Sequence, residues 1–223
     1  LLADNDVVYD NKITINLSEL TPLVAKPHSP DNVDEVINIG NLKVDQVAIG
    51  SCTNASYTDL MKVAAILKGK KVHPDVSLVI SPGSSNVLKM LADNGALSYL
   101  IKAGARILEA SCGPCIGMGQ APKSKAVSVR TFNRNFKGRC GTKDADVYLV
   151  SPETAAAIAV KGTFFDTRTL GDAPTITLPE KFDYEDNYFI FPPESGKDVE
   201  VIMGPNIKPF PRNSELPKTM TAS

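Results

Sequence analysis

Between residues 44 and 162 the chain switches repeatedly between two hydrophobic periods, which leaves few ways to bury its apolar side chains. VDQVAIG (44–50) and VSLVIS (76–81) are short apolar runs, rich in branched residues, that read as buried strands. ARILEAS (105–111), AVSVRTF (126–132) and DVYLVS (146–151) have the same character. Between the first two, SYTDLMKVAAILKG sets Leu60, Val63, Ala64 and Leu67 at helical spacing, with Ser56 or Thr58 to cap its start and Gly69 to end it. Helical patterns also run from Ser85 to Asn94, from Leu97 to Ala103, and through PETAAAIAVKG, where Pro152 takes a position at which proline is tolerated. Strands alternating with helices predict an α/β fold: a three-layer, mostly parallel, doubly wound sheet with helices on both faces. Its ligand loops belong beyond the C-terminal strand ends.

The flanks lack this alternation. Residues 1–43 hold polar, proline-bearing stretches such as AKPHSPDNVDEV, and residues 171–223 are proline-rich with little periodicity. The expected organisation is an N-terminal arm or interdomain segment (1–43), an α/β domain (44–170), and an extended segment (171–223) that leads toward a further C-terminal domain. The 223 residues suffice for one sizeable core. With 24 basic and 25 acidic residues there is no overall field for a nucleic-acid backbone or an anionic membrane, so a small-molecule partner is expected. No apolar run approaches the roughly 20 residues of a membrane helix, and LLADNDVVYD lacks the order of a signal peptide. Four cysteines are too few to staple a chain this long, which predicts a reducing compartment: a bacterial cytoplasm or a mitochondrial matrix.

The cysteine spacing carries the chemistry. Cys112 and Cys115 form a C-x-x-C pair, and Cys52 lies sixty residues upstream at the end of another predicted strand. At strand ends, single cysteines commonly serve as small buried apolar groups. As a set, these three allow a thioredoxin-like dithiol, a structural zinc site or an iron–sulfur cluster. A dithiol motif normally opens a helix, whereas Ile116-Gly117-Met118-Gly119 favours a loop. Zinc wants a fourth ligand, for which Cys140, or less readily His28 or His73, would have to serve. Three thiolates without a clear fourth suit a cluster with one open iron able to act as a Lewis acid.

Three of the six arginines, Arg130, Arg134 and Arg139, fall within ten residues around TFNRNFKGRCG. Arg134 and Arg139 suit carboxylate recognition through planar forks, and Asn133 and Asn135 add neutral donors and acceptors. The plainer reading is a solvated basic turn. Beside three thiols at neighbouring strand ends, binding of a tricarboxylic acid gains weight.

IGSCTNASYTDL around Cys52, ASCGPCIGMG around Cys112 and Cys115, and NRNFKGR from Asn133 to Arg139 resemble the three signatures of the aconitase family, in the same order and at similar spacing. The turn Ser81-Pro82-Gly83-Ser84 and the tail GPNIKPFP are similar to that family as well. The resemblance implies the third, cluster-binding domain of a hydro-lyase that interconverts citrate and isocitrate through cis-aconitate. It further implies that Cys52, Cys112 and Cys115 hold a 4Fe-4S cluster. Arg134 and Arg139 match substrate-carboxylate arginines, Asn133 matches a residue near cluster and substrate, and Cys140 lies outside the pattern. The family's histidines, carboxylates and serine base from other domains have no matched motif, which implies a fragment inactive alone and partnered by the remaining domains of a longer chain. Large subunits of isopropylmalate or homoaconitate isomerases share the cysteine and arginine motifs and form the alternative. Zinc-binding or RNA-binding non-enzymatic domains are further readings.

Overall fold

Successive residues of a strand face opposite sides of a sheet, and the strand Gln46–Gly50 is buried throughout. Val47 and Ile49 point into the larger core with helix residues such as Leu60, Leu91 and Ile158, while Ala48 points into a smaller cluster with Val79 and Phe132. The computed structural model describes residues 2–187, 189–196, 199–200, 202–215 and 219. Its elements in chain order are β1 (Leu23–Ala25), β2 (Val33–Glu35), β3 (Gln46–Gly50), α1 (Tyr57–Leu67), β4 (Ser77–Ser81), α2 (Ser85–Asp93), α3 (Ala96–Ala103), β5 (Arg106–Ile107), β6 (Val127–Arg130), β7 (Asp146–Leu149) and α4 (Pro152–Lys161).

The seven strands form one sheet in the order β2-β1-β7-β6-β3-β4-β5. The five strands from β7 to β5 are parallel, and β1 and β2 join antiparallel at the β7 edge. The predicted α/β class and mostly parallel sheet are observed. Helix starts follow their caps: Ser56 and Asp59 form a capping box at α1, and Ser151 caps α4 ahead of Pro152.

The four helices pack on one another in the sequence α2, α3, α1, α4, so they share one layer on one face. In place of a helical layer, the second face carries the loop between β5 and β6, whose Leu108 and Cys115 pack on Ala48, Val79 and Phe132. Within the first 43 residues, β1 and β2 extend the sheet, and residues 2–20 before them are exposed, including a short 3-10 turn, Leu17–Glu19. The stretch after α4 returns to the helices, where Asp183 pairs with Lys89 and Phe182 stands edge-on to Tyr57. Leu1–Tyr184 form one compact unit, and Glu185–Ser223 a second with no α-helix or strand among its described residues. The last part of the 171–223 segment, including 220–223, lies outside the described residues. No helix among the described residues is long and apolar enough to cross a membrane.

Candidate functional site

The chain leaves β3 for β4 and β5 on one side, then returns to place β6 on the other, so the strand order reverses between β3 and β6. In open α/β sheets the crevice beyond the C-terminal ends of such a pair is where ligands bind. Cys52 follows β3 there, and Asn133 follows β6. Thr131 ties the two ends, its hydroxyl accepting from Gly50 N–H at 2.8 Å and donating to Gly50 O at 3.0 Å. Asn54 donates to Thr131 O, and the Thr53 hydroxyl donates to Asn133 Oδ1 at 2.6 Å. That contact leaves the Asn133 amide facing Cys52, with Nδ2 4.0 Å from Sγ. Ser51, just before the cysteine, holds a left-handed φ of 89° with its hydroxyl 3.3 Å from Thr53 N–H. Strained non-glycine backbone of this kind persists where the surroundings over-determine it, as at binding sites.

Cys112 and Cys115 arrive from the neighbouring edge. Beyond β5, Leu108 N–H still reaches Ile80 O, then Ser81 Oγ donates to Glu109 O and the chain leaves the sheet. The strand predicted over 105–111 is therefore cut to two residues, and the rest delivers the cysteines on a 3-10 turn, Gly113–Ile116. Gly117 closes the turn at φ +90°, where an added Cβ would stand 2.4 Å from Cys140 O. Only glycine admits that approach. Cys140 is buried beneath, its thiol 3.9 Å from Cys115 O.

All four cysteines are free; Cys52 and Cys112 are exposed and Cys115 is half-buried. Burial pushes the Cys115 thiol above its ordinary pKa, and the neighbouring Cys112 and Cys52 add to this against the opposing charges of Arg139 and Arg130. Burial likewise raises Cys140, against Arg130 and Arg139. Among the described residues no three Cys, His, Asp or Glu side chains close on a point as the ligands of a single ion do. His28 lies by Asp146, at the start of β7, and His73 precedes β4, so both sit at the opposite ends of the strands from Cys52. The donors at the crevice are thiols, which suit iron–sulfur chemistry better than hard cations.

The predicted arginine loop follows β6 at the same edge. Arg134 and Asn133 are exposed, Arg139 is half-exposed, and among the described residues neither Arg134 nor Arg139 is in an ion pair. Asn135 is different: it is buried, and its amide donates to Lys26 O at 2.8 Å and Val147 O at 3.1 Å, which anchors the loop to the antiparallel edge. Arg130 also turns inward and is fully buried. Sequence reasoning grouped it with its neighbours, yet the parity of β6 separates it. Val129 faces the helices, so Ser128 and Arg130 face the loop-covered side. A cavity of about 700 Å³ lies elsewhere, between α1, α4 and residues 167–174.

A family model described as "Aconitase family (aconitate hydratase)" matches residues 33–162. The chain belongs to the aconitase family. It is 44% identical over 167 residues to a 3-isopropylmalate dehydratase large subunit 2 of Archaeoglobus fulgidus, a match that covers 74% of this chain and 40% of the relative. It is 46% identical over 167 residues to a 3-isopropylmalate dehydratase large subunit 1 of Methanopyrus kandleri, with 74% and 40% covered. A homoaconitase large subunit of Thermus thermophilus is 48% identical over 164 residues, with 73% and 39% covered. This aconitase-family chain therefore spans about 40% of the length of the curated relatives it matches. The matched region runs from β2 to the end of α4 and contains all six predicted site residues.

Proposed function

We propose that the chain is the cluster-binding part of a hydro-lyase large subunit of the isopropylmalate dehydratase and homoaconitase kind. In this reading Cys52, Cys112 and Cys115 hold a 4Fe-4S cluster, and Arg134, Arg139 and Asn133 receive the carboxylates of a hydroxy-acid substrate. One observation supports it: Cys52 and Asn133 stand 4.0 Å apart at the crevice where the strand order reverses, the Cys112–Cys115 turn leaves the neighbouring strand end, and among the described residues Arg134 and Arg139 on the Asn133 loop are in no ion pair. The names of the relatives support this alternative over aconitate hydratase, the activity that the motifs first imply, and hence over citrate and isocitrate as substrates.

When bound, such a cluster supplies a Lewis acid at its unliganded iron. The chain's own residues orient. Arg134 and Arg139 each present planar donors that match a carboxylate bidentately, which fixes the substrate's angle as well as its charge. Asn133, its oxygen occupied by Thr53, offers its amide hydrogens to the Cys52 sulfur, a contact of the kind that tunes a metal centre. The general base is assigned to a remainder of the parent chain or, as the words "large subunit" suggest, to a smaller partner chain. The division into 1–43, 44–170 and 171–223 is part of the same proposal, although β1 and β2 of the first segment join the sheet of the second, and Phe182 and Asp183 of the third pack on its helices.

Anaerobic titration of the iron-loaded chain with 3-isopropylmalate, homoaconitate and citrate, read by spin resonance, tests the reading. One of the first two is expected to perturb the signal at lower concentration than citrate, and Arg139→Lys to weaken that response at least about tenfold, the scale of one lost charge-assisted contact. A preference for citrate would restore aconitate hydratase. Indifference to all three would remove the substrate assignment.

A further inference from the structure

Arg130 is 0% exposed, yet all the acceptors around its guanidinium are neutral. Nη1 donates to Pro114 O at 2.7 Å, Nη2 to Gln46 Oε1 at 2.7 Å and to Gln120 O at 3.0 Å, and Nε to Ser128 Oγ at 3.0 Å. Ser128 Oγ in turn donates to Gln46 Oε1 at 2.7 Å, so the acceptors on the strands are themselves fixed. The guanidinium carbon sits 5.3 Å from the centre of the Phe132 ring. Among the described residues no carboxylate pairs with Arg130. Burying an unpaired guanidinium is strongly unfavourable unless its donors are used and a countercharge arrives.

Both requirements lead to the cysteine loop. Two of the acceptors are main-chain carbonyls of one loop: Pro114 lies inside the C-x-x-C turn and Gln120 at its exit. A planar fork that bridges them sets the distance between turn and exit. Pro114 is the residue just before Cys115, so the buried positive charge lies directly against the C-x-x-C turn. We propose that Arg130 is the positioning residue of the cysteine turn: it pins Cys112 to Cys115 over the second face of the sheet and balances the negative charge that the turn carries when its thiolates hold a cluster. The second half rests on the cluster reading above; the first stands on the hydrogen bonds alone.

Two substitutions divide geometry from charge. Arg130→Lys keeps the charge but cannot span both carbonyls, and Arg130→Met removes both. Amide hydrogen exchange in the cluster-free 223-residue chain is expected to quicken at least about tenfold over 112–121 in both variants and to stay unchanged over 51–56, a loop that Arg130 does not touch. After anaerobic loading, Arg130→Met should lower the cluster's reduction potential relative to Arg130→Lys, because loss of a buried positive charge disfavours an added electron. Unchanged exchange over 112–121 in the folded variants overturns the positioning role, and Arg130→Lys decides if Arg130→Met does not fold. Equal potentials in wild type and Arg130→Met overturn the charge role. Should the wild-type chain take no iron, the cluster reading fails while the exchange result still decides the first half.

Discussion

At the scale of residues, the site depends on a few positions where backbone meets backbone. Gly117 and Gly119 flank Met118 with similar left-handed φ values of +90° and +75°, but an added Cβ at 117 meets the Cys140 carbonyl while one at 119 meets nothing within 4 Å. Gly119→Ala is expected to cost the about 1–3 kcal/mol of a left-handed non-glycine residue, and Gly117→Ala clearly more. Equal urea midpoints for the two would contradict the packing of the turn on Cys140. Such contacts explain which residues were legible in the sequence. Cys52, Cys112, Cys115, Asn133, Arg134 and Arg139 stand out by type and spacing. The strain at Ser51, the clamp made by Asn135 and the inward turn of Arg130 depend on tertiary partners that no local pattern names. Arg130 alone had a readable signal, the alternation of VSVR along β6.

At the scale of elements, the two periods marked the five parallel strands and four helices because caps and apolar stripes agree there. They missed β1 and β2, which are three residues each and too short to show a period. The expectation of helices on both faces failed for a related reason. The connections from β5 to β6 and from β6 to β7 have no helical stripe, so loops cover the second face and carry Cys112, Cys115, Arg134 and Arg139. The helical layer has its own ion pair, Lys62 Nζ to Glu153 Oε1 at 2.8 Å, which joins α1 to the first turn of α4. Burial favours a raised Glu153 pKa, but the Lys62 hydrogen bond and the backbone at the helix start outweigh it, and the net shift is downward. A depressed carboxylate stabilises fully above its ordinary pKa of about 4.3 and loses that contribution as pH falls through the folded value. Lys62, raised chiefly by the same hydrogen bond, sets the alkaline end of the window. Glu153→Gln should therefore cost about 0.5–1 kcal/mol at pH about 7 by chemical denaturation. The deficit should shrink toward zero on the acid side of that window; one that persists there would contradict the pairing.

At the scale of the whole molecule, the sheet order decides where the chemistry sits. The reversal between β3 and β6 opens the crevice, and the thiol and arginine loops reach it from strand ends of the same sense. The motifs indicated the family before any fold was known. They did not distinguish among its substrates, because under the proposed function the shared loops would receive what those substrates have in common, carboxylates and a hydroxyl. The central claim is that three particular thiols of this chain hold one iron–sulfur cluster. Anaerobic loading with iron and sulfide, followed by metal analysis and spin resonance on wild type, Cys52→Ser and Cys140→Ser, tests it most directly. Wild type and Cys140→Ser are predicted to take up a cluster and Cys52→Ser to lose most of it; iron content indifferent to Cys52→Ser, or stoichiometric zinc in its place, would contradict the account.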